Sequence, residues 1–384
     1  MPQSESNRID IRFSTETTWN ETPATPTMAS LPYVSETIKY DKRTITSKLV
    51  RSDRLIDDVI EVGAGSAGEL AFEYKFGDFD KLIEGALGMD FVAMTFTGTS
   101  NLSFAASGGG VQVATGPAST FTNYVDGTYV RVSGANAQNN GVFRITAHSS
   151  TTLTYNNATG TLQASTSATV AVKYARTGTN KKSFLFEKNF ADITRFISFR
   201  GMRVGTMAMN FESEQILTGS FGLMGAGAFA AAVTVSGSVT AASANAVSGA
   251  TANMGRIEEG GVALTTKIKS AKFSLNANPR ALTAVANKFP IGINYGSFDI
   301  TGTVEAYFED SALYDKFVAH TDSSLVVEII DAADKRTIVT ISNLKFTTAA
   351  PVGAGLNQDS MVSLDFVAKR NATSNAMMQI DILA

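Results

Sequence analysis

A strand that turns directly into a short amphipathic helix constrains this chain most, because the unit occurs twice. In Gly68-Glu-Leu-Ala-Phe-Glu-Tyr-Lys-Phe-Gly77, Leu70, Phe72 and Tyr74 alternate with Glu69, Glu73 and Lys75. One face is therefore apolar and the other charged, as in a half-buried strand. Asp78 is placed to cap a helix. Phe79, Leu82, Ile83, Ala86 and Leu87 then recur at helical spacing, and Gly88 stops the run. The pattern returns over 300–318, with Asp310 or Ser311 as the cap. Gly302 corresponds to Gly68, and Asp315-Lys-Phe-Val318 to Asp80-Lys-Leu-Ile83, one register step apart.

The flanks repeat as well. The predicted strand 268–276 answers one at 36–43. A long excursion over 279–296 answers 44–65. The runs at 325–330, 337–346 and 360–367 answer those at 183–187, 196–204 and 217–223. Matching order and spacing point to duplication of one β-rich domain. Between the copies' common elements lies a stretch of about 92–179, poor in charge and rich in Thr, Ser, Gly and Asn. Short strands are predicted there at 129–132, 142–146, 152–155 and 169–174, with turn signals at Ser133-Gly134 and Asn139-Asn140-Gly141. The expected fold is mainly β, with two tandem sandwich or barrel domains, each bearing a short flanking helix, plus a small inserted all-β module. The expected boundaries are an N-terminal arm at 1–28, a first domain split over 29–91 and 180–225, the insert at 92–179, a linker at 226–262, and a second domain at 263–384.

Composition agrees and narrows the function. A chain of 384 residues with 44% hydrophobic residues buries a core, and a net charge of −3 does not suit a nucleic-acid surface. The absence of cysteine excludes disulfides, thiol catalysis and thiolate metal sites. The polar start shows no signal-peptide pattern, and the uncharged run 215–255 is too laced with Ser, Thr, Asn and Gly for a membrane span. His148 and His320 lie in no metal-ligand or triad spacing. Gly108-Gly109-Gly110 lacks the Lys of a phosphate loop, and Gly63, Gly65 and Gly68 lead into a strand rather than a helix. No catalytic residue, cofactor or metal is expected.

Two stretches suggest contacts with other chains. Arg51, Asp53, Arg54, Asp57 and Asp58 crowd the first excursion with mixed charge, which suits a polar contact with another copy. Residues 1–28 read either as a flexible leader or as an arm ordering against a neighbour, with Trp19 as its anchor.

Taken in order, Arg51-Ser-Asp-Arg-Leu-Ile-Asp-Asp58, the 68–88 unit, Phe199-Arg-Gly-Met-Arg-Val204, Thr218-Gly-Ser-Phe-Gly-Leu-Met-Gly225 and Ala306-Tyr-Phe-Glu-Asp-Ser-Ala-Leu-Tyr314 carry a family likeness. They resemble the tail tube proteins of long, non-contractile-tailed bacteriophages, in the branch with a duplicated tube domain. The likeness covers most of 30–90 and 180–384. It implies a structural virion protein, assembled in the host cytoplasm. Three chains would make a pseudo-hexameric ring, and rings would stack into a tube that passes viral DNA without specific binding. The implied partners are other copies, a tape-measure protein in the lumen, and tail terminator and tail-tip or distal tail proteins; no membrane is implied. By position the ring-stacking loops are about 46–65, and 280–295 with Arg280, Lys288 and Tyr295. The insert is expected to project outward. The alternatives are the tube of a contractile tail or tail-like secretion machine, and a β-rich adhesin or carbohydrate-binding protein. The last requires exposed aromatics in the insert.

Overall fold

The computed structural model describes residues 3–264, 267–353 and 355–384. It is mainly β, and its contacts group the chain into two compact units. The first holds residues up to Gly88, Thr179–Ser248 and Ser270–Gly302; the second holds Met89–Gly178, Gly249–Lys269 and Thr303–Ala384.

In the first unit the backbone of the core is a run of antiparallel ladders. Ile9–Thr15 pairs with Phe184–Phe190, which pairs with the long strand Arg195–Glu212. That strand pairs in turn with Thr218–Gly225, then Val59–Glu73, then Lys39–Thr46. Arg195–Glu212 changes partners along its length. Its first part also holds Gly227–Ala231, and its last part holds Ile268–Asn276 in the register Thr206↔Asn276. The crossover needs a bend, supplied by Gly201 at φ 64° and a bulge between Val204 and Thr206. Helix Asp80–Leu87 packs on this long strand and buries Leu82, Ile83, Ala86 and Leu87. Gly85 is required there, because a Cβ would stand 2.8 Å from the Phe184 ring. Phe72 stacks against Phe79 at 4.2 Å and Phe221 at 4.9 Å, which ties strand, helix and neighbouring strand into one cluster.

The second unit repeats these ladders. Met254–Glu259 pairs with Ser323–Ile330, then Arg336–Val352, then Met361–Ala368. The first part of Arg336–Val352 also holds Met378–Leu383, as its counterpart holds Gly227–Ala231. Even the bulges correspond. Phe184/Phe186 matches Ser323/Leu325, and Val204/Thr206 matches Phe346/Thr348. Helix Ala312–Val318 packs on the second long strand.

These ladders revise three expectations. The arm at 1–28, expected as a flexible leader or as an arm ordering against a neighbour, orders instead against its own chain within the described residues. Ile11 and Met28 are fully buried and Phe13 is nearly so, because Ile9–Thr15 closes the edge of its own sheet. The linker at 226–262 is structured too: it carries Gly227–Ala231 and Met254–Glu259, the last strand of one repeat and the first of the next. The expected cap Asp78 does not cap. Helix 80–87 starts after Phe79, and Asp78 instead accepts hydrogen bonds from the Ser243 N–H and hydroxyl at 2.8 and 2.9 Å. Gly88 does end that helix, in the left-handed region at φ 69°.

The insert contains the four expected strands and four more, at Val92–Thr97, Leu102–Ala106, Val111–Thr115 and Gln163–Thr166. Its contacts group it with the second repeat, although it follows the first repeat's helix in sequence. The cause is Thr169–Arg176, which pairs with Val92–Thr97, Tyr129–Ser133 and the C-terminal strand Met378–Leu383. Likewise, Ser270–Gly302 groups with the first-repeat elements because of its ladder to 206–212. The insert's aromatics form its core. Phe104, Phe121, Tyr129 and Tyr155 are fully buried, and Tyr124 and Tyr174 nearly so. The exposed aromatic face that an adhesin reading requires is therefore not built from them.

Candidate assembly surface

The two long excursions lie in the first unit, and both are hairpins. Lys39–Thr46 and Val59–Glu73 pair down to Thr46↔Val59, with Ser47 N–H closing on the Asp58 carbonyl at 2.8 Å. Nearer the core, the second strand also pairs with Thr218–Gly225, as far as Ser66↔Gly225. Beyond that point the hairpin is a two-stranded ribbon. Its side chains are unusually apolar for their exposure: Ile45 58%, Leu49 69%, Val50 100%, Leu55 65%, Ile56 69% and Ile60 53%. A two-stranded ribbon gains little stability by itself, and contiguous apolar side chains on a surface are a common feature of contact sites.

The charges expected to make outward contacts are largely spent within the tip. Arg51 bridges Asp53 and Asp57, both at 2.6 Å. Asp53 also accepts from the Leu55 N–H at 3.2 Å, and Asp58 from the Val59 N–H at 2.7 Å. The Arg51 guanidinium holds the Asp53 carboxyl below its ordinary range. These bonds fix the shape of the tip, and exposed pairs of this kind add little stability. Arg54 sits at φ 62° in the turn. The exposed surface of the tip is thus chiefly Leu49, Val50, Leu55 and Ile56 on an ion-paired frame.

The second excursion pairs Arg280–Leu282 with Gly292–Asn294, and Arg280 stands opposite Asn294. It docks on the stem of the first hairpin. Lys288 forms an ion pair with Glu61 at 2.9 Å, its carbonyl accepts from the Ala64 N–H at 2.9 Å, and Phe289 meets Tyr40 edge-on at 6.4 Å. Its own tip leaves Val285 98% exposed and Ile291 53% exposed. Tyr295 is no surface contact. Its hydroxyl donates to the Val204 carbonyl at 3.0 Å, and burial pushes its pKa up to about 12. Trp19 likewise anchors within its own unit: the indole N–H donates to the Gly201 carbonyl at 3.2 Å, and Arg203 lies over the ring. Sequence alone brought neither Glu61 nor Tyr40 into the site, because only the fold places them under Lys288.

A family model described as phage tail tube protein matches residues 6–368. The chain belongs to the phage tail tube protein family. A search of the curated proteins found no match. Membership makes this tail tube protein a structural component of the virion that assembles with itself into a tube. Among the described residues, no group of acidic or histidine side chains is arranged to hold a metal, and no helix is long and apolar enough to cross a membrane. His148 of this tube protein pairs with Asp126 at 2.7 Å, and His320 follows the second helix at φ 51°.

Proposed function

We propose that three chains close into a ring with six repeat positions, and that rings stack through the two hairpin tips into a hollow tube. The observation that carries this reading is the exposed apolar ribbon. Val50 and Val285, almost fully exposed in one chain, head two adjacent hairpins of one unit, tied together by Lys288 and Glu61. A contact made head to tail along an axis does not close on itself and therefore yields a filament. The duplication supports two positions per chain, since each repeat carries the same ladder order and a helix on its long strand. Viral DNA passes through the bore, a weakly acidic chain being suited to release rather than grip phosphates. A tape-measure protein in the lumen and terminator and tail-tip proteins at the ends are the further partners of this reading, with assembly in the host cytoplasm and the insert outside the bore.

Sedimentation velocity tests the stacking role. The wild-type chain is expected to form species that grow with concentration, whereas Val50→Asp combined with Ile56→Asp stops at single rings or monomers. Undiminished growth of the double variant would remove the hairpin from the stacking contact.

A further inference from the structure

The second unit contains a cleft of about 410 Å³ between strand Gly141–His148, residues 256–261 and the loop 371–374. Most polar groups on its wall are already committed. The Tyr129 hydroxyl donates to Glu258 at 2.8 Å, Arg256 Nε donates to Glu328 at 3.1 Å, and His148 pairs with Asp126. The buried Asp381 carboxylate accepts from the Tyr129 N–H at 3.2 Å and the Gln379 amide at 2.8 Å.

Two groups are left over. The Arg144 guanidinium reaches between Gly127 and Gly261, 3.8 Å from where a Cβ would stand on either. It makes no ion pair or hydrogen bond with another described residue, although its charge acts on the buried Asp381 carboxyl and on Tyr129 without contact. The Ser374 hydroxyl, in a residue only 8% exposed, is buried without a partner. A guanidinium can only donate, so the missing ligand atom is an acceptor, and a planar fork of donors favours an oxyanion. The same wall carries the side chains of Asn156, Ser342 and Thr373, none hydrogen-bonded to another described residue, and these suit hydroxyl groups.

We infer that this cleft binds a small hydroxyl-rich organic anion of monosaccharide size, its carboxylate or phosphate on Arg144 and Ser374. The volume falls in the range of small-molecule sites. All the groups involved lie in one unit of one chain, so the binding is testable on the purified chain before any ring forms.

Isothermal titration of the full chain with glucuronate, glucose 6-phosphate and glucose tests it. One or both anions bind and glucose does not; the stronger of the two identifies carboxylate or phosphate as the recognised group. Arg144→Gln weakens that binding at least tenfold and Ser374→Ala several-fold, with circular dichroism unchanged. Absence of binding by both anions, equal binding of glucose, or affinity indifferent to Arg144→Gln would each overturn the assignment.

Discussion

The two repeats share their hydrogen-bonded frame but not their packing. Both have a long strand with matched partners and matched bulges, and both rest a short helix on it. Helix Asp80–Leu87 buries every residue from Leu82 to Leu87, whereas helix Ala312–Val318 buries only Leu313 and leaves Val318 64% exposed. The first helix is clamped by the Phe72, Phe79 and Phe221 cluster and by Glu84, a buried carboxylate held between Lys81 and Lys182. The second is tied at its rim through Lys316 to Glu259, and Tyr307 and Phe308 remain over one-third exposed nearby. Duplicated chains keep the ladder because backbone pairing is shared by any sequence that fits it. Side-chain packing is free to diverge, and here the second copy leaves Val318, Tyr307 and Phe308 partly exposed.

Truncation should separate the copies most sharply. Leu82→Ala is expected to cost about 2–5 kcal/mol in urea denaturation. Val318→Ala should stay within about 0.5 kcal/mol. Equal losses would mean the two helices are packed alike. Next in size, Glu84→Ala should cost about 1–3 kcal/mol, because it strips the half-buried Lys182 of its carboxylate. A change within error would show that the lysine simply swings into solvent.

A smaller effect distinguishes the second unit by pH. Burial raises the Asp381 carboxyl from 3.8 to about 7. A raised folded-state pKa gives stability that is complete below the unfolded value and lost as pH climbs through the folded one. The melting temperature should therefore fall between pH 5 and pH 7 and level off above, and Asp381→Asn should flatten that slope. An unchanged slope in the variant would assign the titration elsewhere. Smallest of all, Arg51→Ala should leave the melting temperature where it is, since its ion pairs are fully exposed, while raising amide exchange across 51–57. Protection as strong as in wild type would mean the tip holds its shape without them.

Legibility in the sequence followed the strength of local pattern. The strand-helix units, the duplication and four insert strands were readable because Leu70, Phe72 and Tyr74, or Val130 and Val132, alternate cleanly. Ile9–Thr15 carries the same alternation, Ile9, Ile11 and Phe13 against Asp10, Arg12 and Ser14, but it is a single short run set between polar stretches and so reads as part of an arm. Gly227–Ala231 carries almost no side-chain signal and is a strand only because a neighbour pairs with it. The mixed charge of the first excursion suggests a polar contact with another copy, yet those charges turn inward on one another and the apolar residues between them face out. The sequence suggests Tyr295 and Trp19 as contacts with other chains, but long-range hydrogen bonds to Val204 and Gly201 claim them. Arg144 was silent, since its meaning depends on residues more than a hundred positions away.

The central claim is that one chain supplies two positions of a six-position ring. Negative-stain electron microscopy of the purified chain at high concentration, averaged in end-on views, tests it most directly. Rings or tubes with a central bore, threefold symmetry and six similar lobes are expected. A compact closed oligomer without a bore, or rings bearing no threefold relation, would contradict it.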